Sequence, residues 1–299
     1  MLSSGSVWLS EFSKMIEWVS IHGGHSGQFC NHAVDSLEAI VQAYVAAGFS
    51  WVGITEHIPP GGDEFVYPDE QAVGLTAVSL YHRFRDYMQV GRALQQQYAD
   101  QLTLYIGCET EYYTGYADHV RRLVAEFQPD YLVGSVHHLE DMSFDMDAND
   151  YWRVVTAVGG LDAFYQKYFD QQYDMIQTLR PQVIGHFDYP RIYDPDYPTQ
   201  LRQPETWGKI MRNLHAIKES GAILDCNTKG WRKGHPEPYI SAPILQEVLA
   251  LGIPVVPGDD SHGVAEIGTD LQRGIDWLQA AGAPTNWQRP CSSVFVRVP

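Results

Sequence analysis

Short runs rich in β-branched and aromatic residues alternate with longer stretches of helical period along the whole chain. "IEWVSI" (16–21) reads as a strand. "SLEAIVQAYVAAG" (36–48) follows, with apolar residues at the spacing of one helix face, Ser36 placed to cap its start and Gly48 to stop it. The pairing recurs. "SWVGIT" (50–55) precedes a helical region over 73–98, "LTLYIG" (102–107) a helix before Pro129, and "YLVGSV" (131–136) a helix over 161–179. "QVIGH" (182–186) precedes a helix over 204–220, "AILDCN" (222–227) one over 242–251, and "PVVPGD" (254–259) a closing helix over 270–281, with "SVFVRV" as a last strand. This number of βα units predicts a parallel α/β barrel over an open sheet.

A barrel makes a demand on the sequence: functional side chains should stand where strands end and loops begin. His22 and His25 follow the first run, His57 the second, Glu109 the third and His137 the fourth. His186, Asn227, Asp260 and His262 follow the later ones. Most are nitrogen or oxygen ligands suited to zinc, manganese or iron, and a carboxylate among them can bridge two ions. A single such histidine is ordinarily a satisfied core or surface group; repetition at successive strand ends is what points to a metal centre.

Composition narrows the partners. At 299 residues, with no linker, repeat or low-complexity tract, the chain reads as one domain spanning 1–299. A formal net charge of −17 argues against nucleic acid or an anionic membrane as partner. Bound divalent cations would still make one cleft locally positive, so an anionic small-molecule substrate remains compatible. Cys30, Cys108, Cys226 and Cys291 are widely spaced and form no CxxC pair, which fits a reducing, cytoplasmic setting better than a disulfide framework. Neither a signal peptide nor an apolar run of membrane length is visible.

"HGGHSGQFCNH", "GITEHIPP", "GCETEYY", "YLVGSVHH", "VIGHFDYPR", "DCNTKGWRK" and "GDDSH" occur in this order over residues 18–264. The set resembles the PHP (polymerase and histidinol phosphatase) family, and most closely its histidinol-phosphatase branch. The resemblance implies a distorted (βα)7 TIM-like barrel, the PHP fold, holding two to three divalent ions. Carried over by motif, His22, His25, Glu109 and Asp260 would hold one ion, Glu109, His137 and His186 a second, and His32, His57 and His262 a third. The family usually shows H-x-H in its first motif, whereas this chain has His22-Gly-Gly-His25. Side chains alternate along a strand, so the extra residue requires a bulge, which Gly23 and Gly24 are expected to supply through positive φ.

The reaction expected from this set is hydrolysis of a phosphomonoester by metal-activated hydroxide, with L-histidinol phosphate as substrate and Glu109, Asp260 and His262 as catalytic residues. Arg191 and Arg232, each following a strand end, are candidates to clamp phosphate oxygens, with Lys229 a weaker one. Glu111, Asp188 and Glu237 are candidates for the substrate's cation, and Tyr113, Tyr189 and Trp231 for stacking. Glu111 is a candidate support behind the ligands, Glu56 either orients His57 or simply accepts solvent, and His138 is equally a supporting or packing residue or a ligand. His82, His119, His215 and His235 are read as surface residues. The rival readings are a PHP-type enzyme for a sugar phosphate, nucleotide or phosphotyrosine, an amidohydrolase-type metal hydrolase, and a metal-stabilised binding module.

Overall fold

The structure, a computed structural model, describes residues 16–290. The expected strand at 293–298 lies outside the described residues. Parallel strands β1 (Val19–Ser20), β2 (Trp51–Ile54) and β3 (Thr103–Ile106) form one sheet. Strands β4 (Cys108–Glu109), β5 (Leu132–Gly134), β8 (Val183–Ile184), β9 (Ile223–Asn227) and β10 (Val255–Gly258) form a second, also parallel.

Two junctions turn these sheets into a ring. β3 and β4 are one strand kinked at Gly107, whose N–H still reaches Ile54 O at 2.9 Å. At the other side Ile21 N donates to Pro257 O of β10 at 2.9 Å. Counting β3 and β4 together, seven strands enclose the interior: the parallel barrel that the repeated βα pattern predicts, in the distorted seven-stranded form that the PHP resemblance implies. Almost every strand residue is buried, as expected where helices cover the outside and side chains fill the inside.

Tyr131, at the start of β5, fills much of that inside. It is fully buried, and its hydroxyl crosses the barrel to donate to Ile21 O at 2.6 Å. Space for it exists because Gly53 and Gly107 face it: a Cβ on Gly53 would lie 1.7 Å from the Tyr131 hydroxyl oxygen.

The outer helices follow the sequence closely. α1 (Leu37–Ala46) is capped by Ser36, which accepts from Ala39 N, and Gly48 beyond its end takes φ +79°. The region expected to be one helix over 73–98 is instead α2 (Pro68–Ala72) and α3 (Ala77–Gln97), because Gly74 turns at φ +79° and Thr76 caps α3 in a reciprocal pairing with Ser79. α4 (Tyr116–Phe127) ends where Gln128 takes a left-handed conformation. An antiparallel hairpin, β6 (His138–Leu139) with β7 (Met142–Ser143), and α5 (Ala148–Ala157), capped by Asp147, precede α6 (Leu161–Leu179). The short α7 (Tyr197–Leu201) leads into α8 (Pro204–Ser220). The single turn α9 (Lys229–Arg232) follows β9, and α10 (Ala242–Leu251) and α11 (Leu271–Ala280) complete the ring. None of these helices is long and apolar enough to cross a membrane.

Candidate metal centre

At the carboxyl ends of the strands the interior changes from apolar to ionisable. Glu109, the last residue of β4, stands at the centre and is 2% exposed. His186 Nε2 lies 2.8 Å from its Oε1 and His137 Nε2 3.5 Å from the same oxygen. His22 Nε2 lies 3.3 Å and His25 Nε2 3.8 Å from its Oε2. Asp260 closes the ring, its Oδ1 3.5 Å from His25 Nε2. His262 stacks on His25 at 4.5 Å between centroids and on His32 at 5.0 Å, and His57 packs 4.8 Å from His25. All nine residues named for metal from the sequence therefore meet at one end of the barrel.

His22 reaches the centre through a bulge. Ile21 N and the carbonyl of the next residue, His22, both bond the β10 side, the latter accepting from Asp260 N at 2.9 Å. Two consecutive residues facing the same neighbour break the alternation by one position. The glycines take no positive φ. Gly23 is required for close approach instead: its N–H bonds Gly53 O at 2.9 Å, and a Cβ there would sit 2.3 Å from that oxygen.

The supporting groups are specific. Glu111 accepts from Tyr67 Oη at 3.0 Å and lies 3.0 Å from His57 Nδ1 and 2.9 Å from His137 Nδ1. Each ring's other nitrogen is thereby turned toward the cluster. Asp225 does the same for His22, with Oδ2 3.0 Å from Nδ1, and Asn227 donates to both Asp225 and Asp260. Asp225 was not among the residues singled out from sequence, although it lies two positions before Asn227 on the same strand face. Glu56 holds Ser26 N and Oγ through Oε1, and its Oε2 stands 3.8 Å from His25 Nδ1. His138 Nδ1 lies 3.4 Å from Glu111.

The cluster suits cations. Burial opposes ionisation of Glu109, yet His22 and His137 hold its carboxyl well below the usual range; Lys229 and His22 do the same for Asp260. Burial and His57 push the imidazolium of His25 well down, leaving it neutral and ligand-competent. His22 Nε2 and both nitrogens of His25 are buried with no hydrogen-bond partner, a costly arrangement for a site meant to stay protein-only. Four three-residue groups and one four-residue group bring ligand atoms within 4.8 Å of one another, Glu109–His137–His186 and His22–His25–Glu109 among them.

Above the cluster lies a cleft with about 1070 Å³ of empty space, bordered by Tyr67, Asp145, Tyr189 and the cations Lys229, Arg232 and Lys233. Arg191 does not reach it. Arg191 is fully buried, with Nε 3.1 Å from Asp188 Oδ2, a bond to Pro238 O, and Tyr197 and Tyr239 each 4.7 Å from its guanidinium carbon. The candidate phosphate clamp at this position is thus a core brace. Lys229, the weaker candidate, faces the cleft and lies 3.1 Å from Asp260 Oδ1. Asp188 and Glu237 are likewise spent on structure: Asp188 also accepts from Ser241 N, and Glu237 accepts from Tyr197 Oη and Ala242 N. Trp231 carries Arg273 on its face, and Tyr113 stacks on Phe65.

A parallel barrel with this strand-end set of histidines and carboxylates is what the PHP resemblance implies, and the PHP domain family model matches residues 23–229. The chain belongs to the PHP family. It is 33% identical over 268 residues to the "Probable histidinol-phosphatase" of Schizosaccharomyces pombe, covering 88% of this chain and 87% of that one. To the "Histidinol-phosphatase" of Saccharomyces cerevisiae it is 29% identical, covering 83% and 84%. A Listeria monocytogenes chain carrying the histidinol phosphatase name hisK superposes with a TM-score of 0.76 at 26% identity, over 85% of this chain and 99% of that one. A histidinol phosphate phosphatase from Lactococcus lactis, solved with zinc, L-histidinol and phosphate, shares the fold at TM-score 0.66 and 18% identity, over 90% and 95%.

Proposed function

We propose that this protein is a metal-dependent phosphomonoesterase that hydrolyses L-histidinol phosphate to L-histidinol and inorganic phosphate. The observation that carries the reading is the convergence of five histidines and Asp260 around the buried Glu109 beneath a cleft edged by three cations. His22, His25, Glu109 and Asp260 would hold one divalent ion and Glu109, His137 and His186 another, with His32, His57 and His262 toward a third. Such ions supply Lewis-acid neutralisation of phosphoryl charge and lower the pKa of bound water. Uncatalysed phosphomonoester hydrolysis is so slow that the site must supply roughly 20 kcal/mol or more of transition-state stabilisation.

The chain's own residues divide the remaining work. Arg232 borders the cleft and is fixed by its bonds to Asp259 O and Asp260 O, which orients its fork toward a phosphate. Lys229 and Lys233 add positive charge on the same side. His262 also borders the cleft, with Nδ1 3.0 Å from Asp260 O and Nε2 3.4 Å from Lys229 Nζ, which places Lys229 beside the leaving alkoxide's side of the site.

A narrow side pocket opens beside the cleft and shares His32, His57 and Tyr67 with it. Its walls are aromatic and aliphatic (Phe29, Phe65, Leu80, Phe84, Tyr87), and Glu56, Glu70 and Glu111 are its acids. Burial raises Glu70 and pushes Glu56 up to about 7, which favours their neutral forms unless a cation stands beside them. The pocket's apolar walls, with Glu70 among its acids, would face the imidazole and amine of the substrate. The central bridging place is held by a carboxylate, Glu109, while the lysine, Lys229, stands at the edge beside Asp260, which favours this reading over the amidohydrolase one.

Two measurements test the reading. Elemental composition of the purified protein should show divalent ions, and chelation should abolish turnover. The kcat/KM for L-histidinol phosphate should exceed that for p-nitrophenyl phosphate, a sugar phosphate or phosphotyrosine by about 100-fold or more, because an analogue without the amine leaves buried carboxylates unpaired. Equal efficiency with a sugar phosphate or phosphotyrosine would keep the metal chemistry and sink the substrate. Ions without turnover on any phosphate would sink both in favour of a binding module.

A further inference from the structure

Cys30 has no place in the proposed chemistry, yet it stands inside the centre. The turn that follows His25 delivers it: Cys30 N donates to Ser26 O at 2.8 Å, Gly27 N to Asp35 O at 2.9 Å, and Val34 N to His262 O at 2.8 Å. These bonds fold the segment back over the strand ends. The thiol is 5% exposed and its sulfur lies 3.2 Å from His32 Nε2. The largest group of converging donors among the described residues is His25, Cys30, His57 and His262, each with a ligand atom within 4.8 Å of the others. His25, fully buried, has no hydrogen-bond partner on either ring nitrogen.

We propose that Cys30 is a thiolate ligand of the outermost metal site, completing with His32, His57 and His262 a sulfur–nitrogen set that selects zinc. The inference rests on reading the cleft as a metal centre and is independent of which phosphate is hydrolysed. A thiolate with imidazoles favours a tetrahedral zinc site, whereas the inner donors, which include Glu109 and Asp260, also suit manganese or iron. On binding, the thiol loses its proton to solvent and the sulfur lone pair forms the bond to the ion; no oxidation or reduction takes place. The outer and inner positions would then differ in metal preference within one cleft.

Cobalt(II) reports the bond directly. In a Cys291→Ser background, which removes the thiol outside the described residues, metal-free protein reloaded with cobalt should develop a thiolate-to-cobalt charge-transfer band in the near ultraviolet. The other two thiols, Cys108 and Cys226, are buried and belong to no group of converging donors among the described residues. Adding Cys30→Ser should abolish the band and make one zinc equivalent at least about tenfold easier to remove with a chelator, while circular dichroism stays unchanged. A fully cobalt-loaded protein without the band overturns the proposal even if the serine variant fails to fold, and a band that survives Cys30→Ser overturns it equally. Loss of histidinol phosphate selectivity alone would touch only the substrate reading.

Discussion

Strands β8 and β9 are neighbours in the barrel, and each is followed by a short turn carrying an arginine, but the two turns spend that charge in opposite ways. After β8, Arg191 points into the protein, where Asp188, two tyrosine faces and a carbonyl surround it. After β9, Arg232 is anchored by carbonyls at one side of its fork and keeps a border on the cleft beside Lys229 and Lys233. Position at a strand end is the same for both. What differs is whether a buried carboxylate lies within reach: Asp188, three residues before Arg191 and fully buried, captures it, whereas the acid nearest Arg232 is Glu266, 3.4 Å from Nε and itself partly exposed.

The contrast breaks most visibly by removing the captured charge. Arg191→Ala strands the fully buried Asp188 carboxylate without its cation, and breaking such a pair costs about 3–5 kcal/mol. Urea unfolding should register that loss, and a double change of Arg191 to Met with Asp188 to Asn should recover much of it. A variant that unfolds normally yet loses kcat/KM would move Arg191 back to the substrate.

Arg232→Ala should do the reverse. We expect a loss of about 2–4 kcal/mol of transition-state stabilisation in kcat/KM, with metal content unchanged and unfolding shifted by about 1 kcal/mol or less. Wild-type kcat/KM in this variant would end its assignment to phosphate.

Carboxylates sharpen the same lesson. Asp188 has its cation; Glu56 is as deeply buried, with two bonds from Ser26 but no cation bonded to it. Burial raises Glu56 from 4.5 to about 7, so in metal-free protein the ionised form is disfavoured by folding. Stability from this group is complete below about pH 4.5 and is lost as pH rises through about 7. Glu56→Gln cannot ionise, and should stabilise the metal-free protein by about 2–3 kcal/mol at pH 8 and by nothing measurable at pH 4. Equal melting temperatures for both proteins across that range would show that Glu56 keeps an ordinary pKa.

The smallest effect belongs to Lys233, exposed at the cleft rim. Its replacement by Ala should lower kcat/KM roughly threefold to tenfold at low salt, and the difference should fade as ionic strength rises. A salt-independent defect would indicate a direct contact with substrate.

These differences mark how far the sequence could be read. The helix punctuated by Ser36 and Gly48 falls where its cap and breaker put it, and the one expected over 204–220 keeps those bounds. The region over 73–98 loses its first residues because one glycine inside an otherwise helical pattern carries the turn. The hairpin at His138–Ser143 and the helix Ala148–Ala157 were not anticipated, since "HHLEDMSFDMDAND" has neither sustained period. The metal-centre candidates were legible because a barrel fixes where strand ends go. Arg191, Asp188 and Glu237 were misplaced because their partners are tyrosines, carbonyls and loop amides that no local pattern announces. The glycine pair was read for its dihedral freedom when its use is proximity, a property only the neighbouring strand reveals.

Tyr131 imposes an order on the ways this chain can change over generations. Its ring occupies the space that side chains on Gly53 and Gly107 would take, and its hydroxyl secures Ile21, the residue before His22. Any larger residue at position 53 is inaccessible while the tyrosine remains, so the smaller aromatic-to-aliphatic step at 131 has to come first. That step would loosen Ile21 and leave a void in the barrel at once. Lineages descending from this protein are therefore expected to keep all three residues or to replace them together.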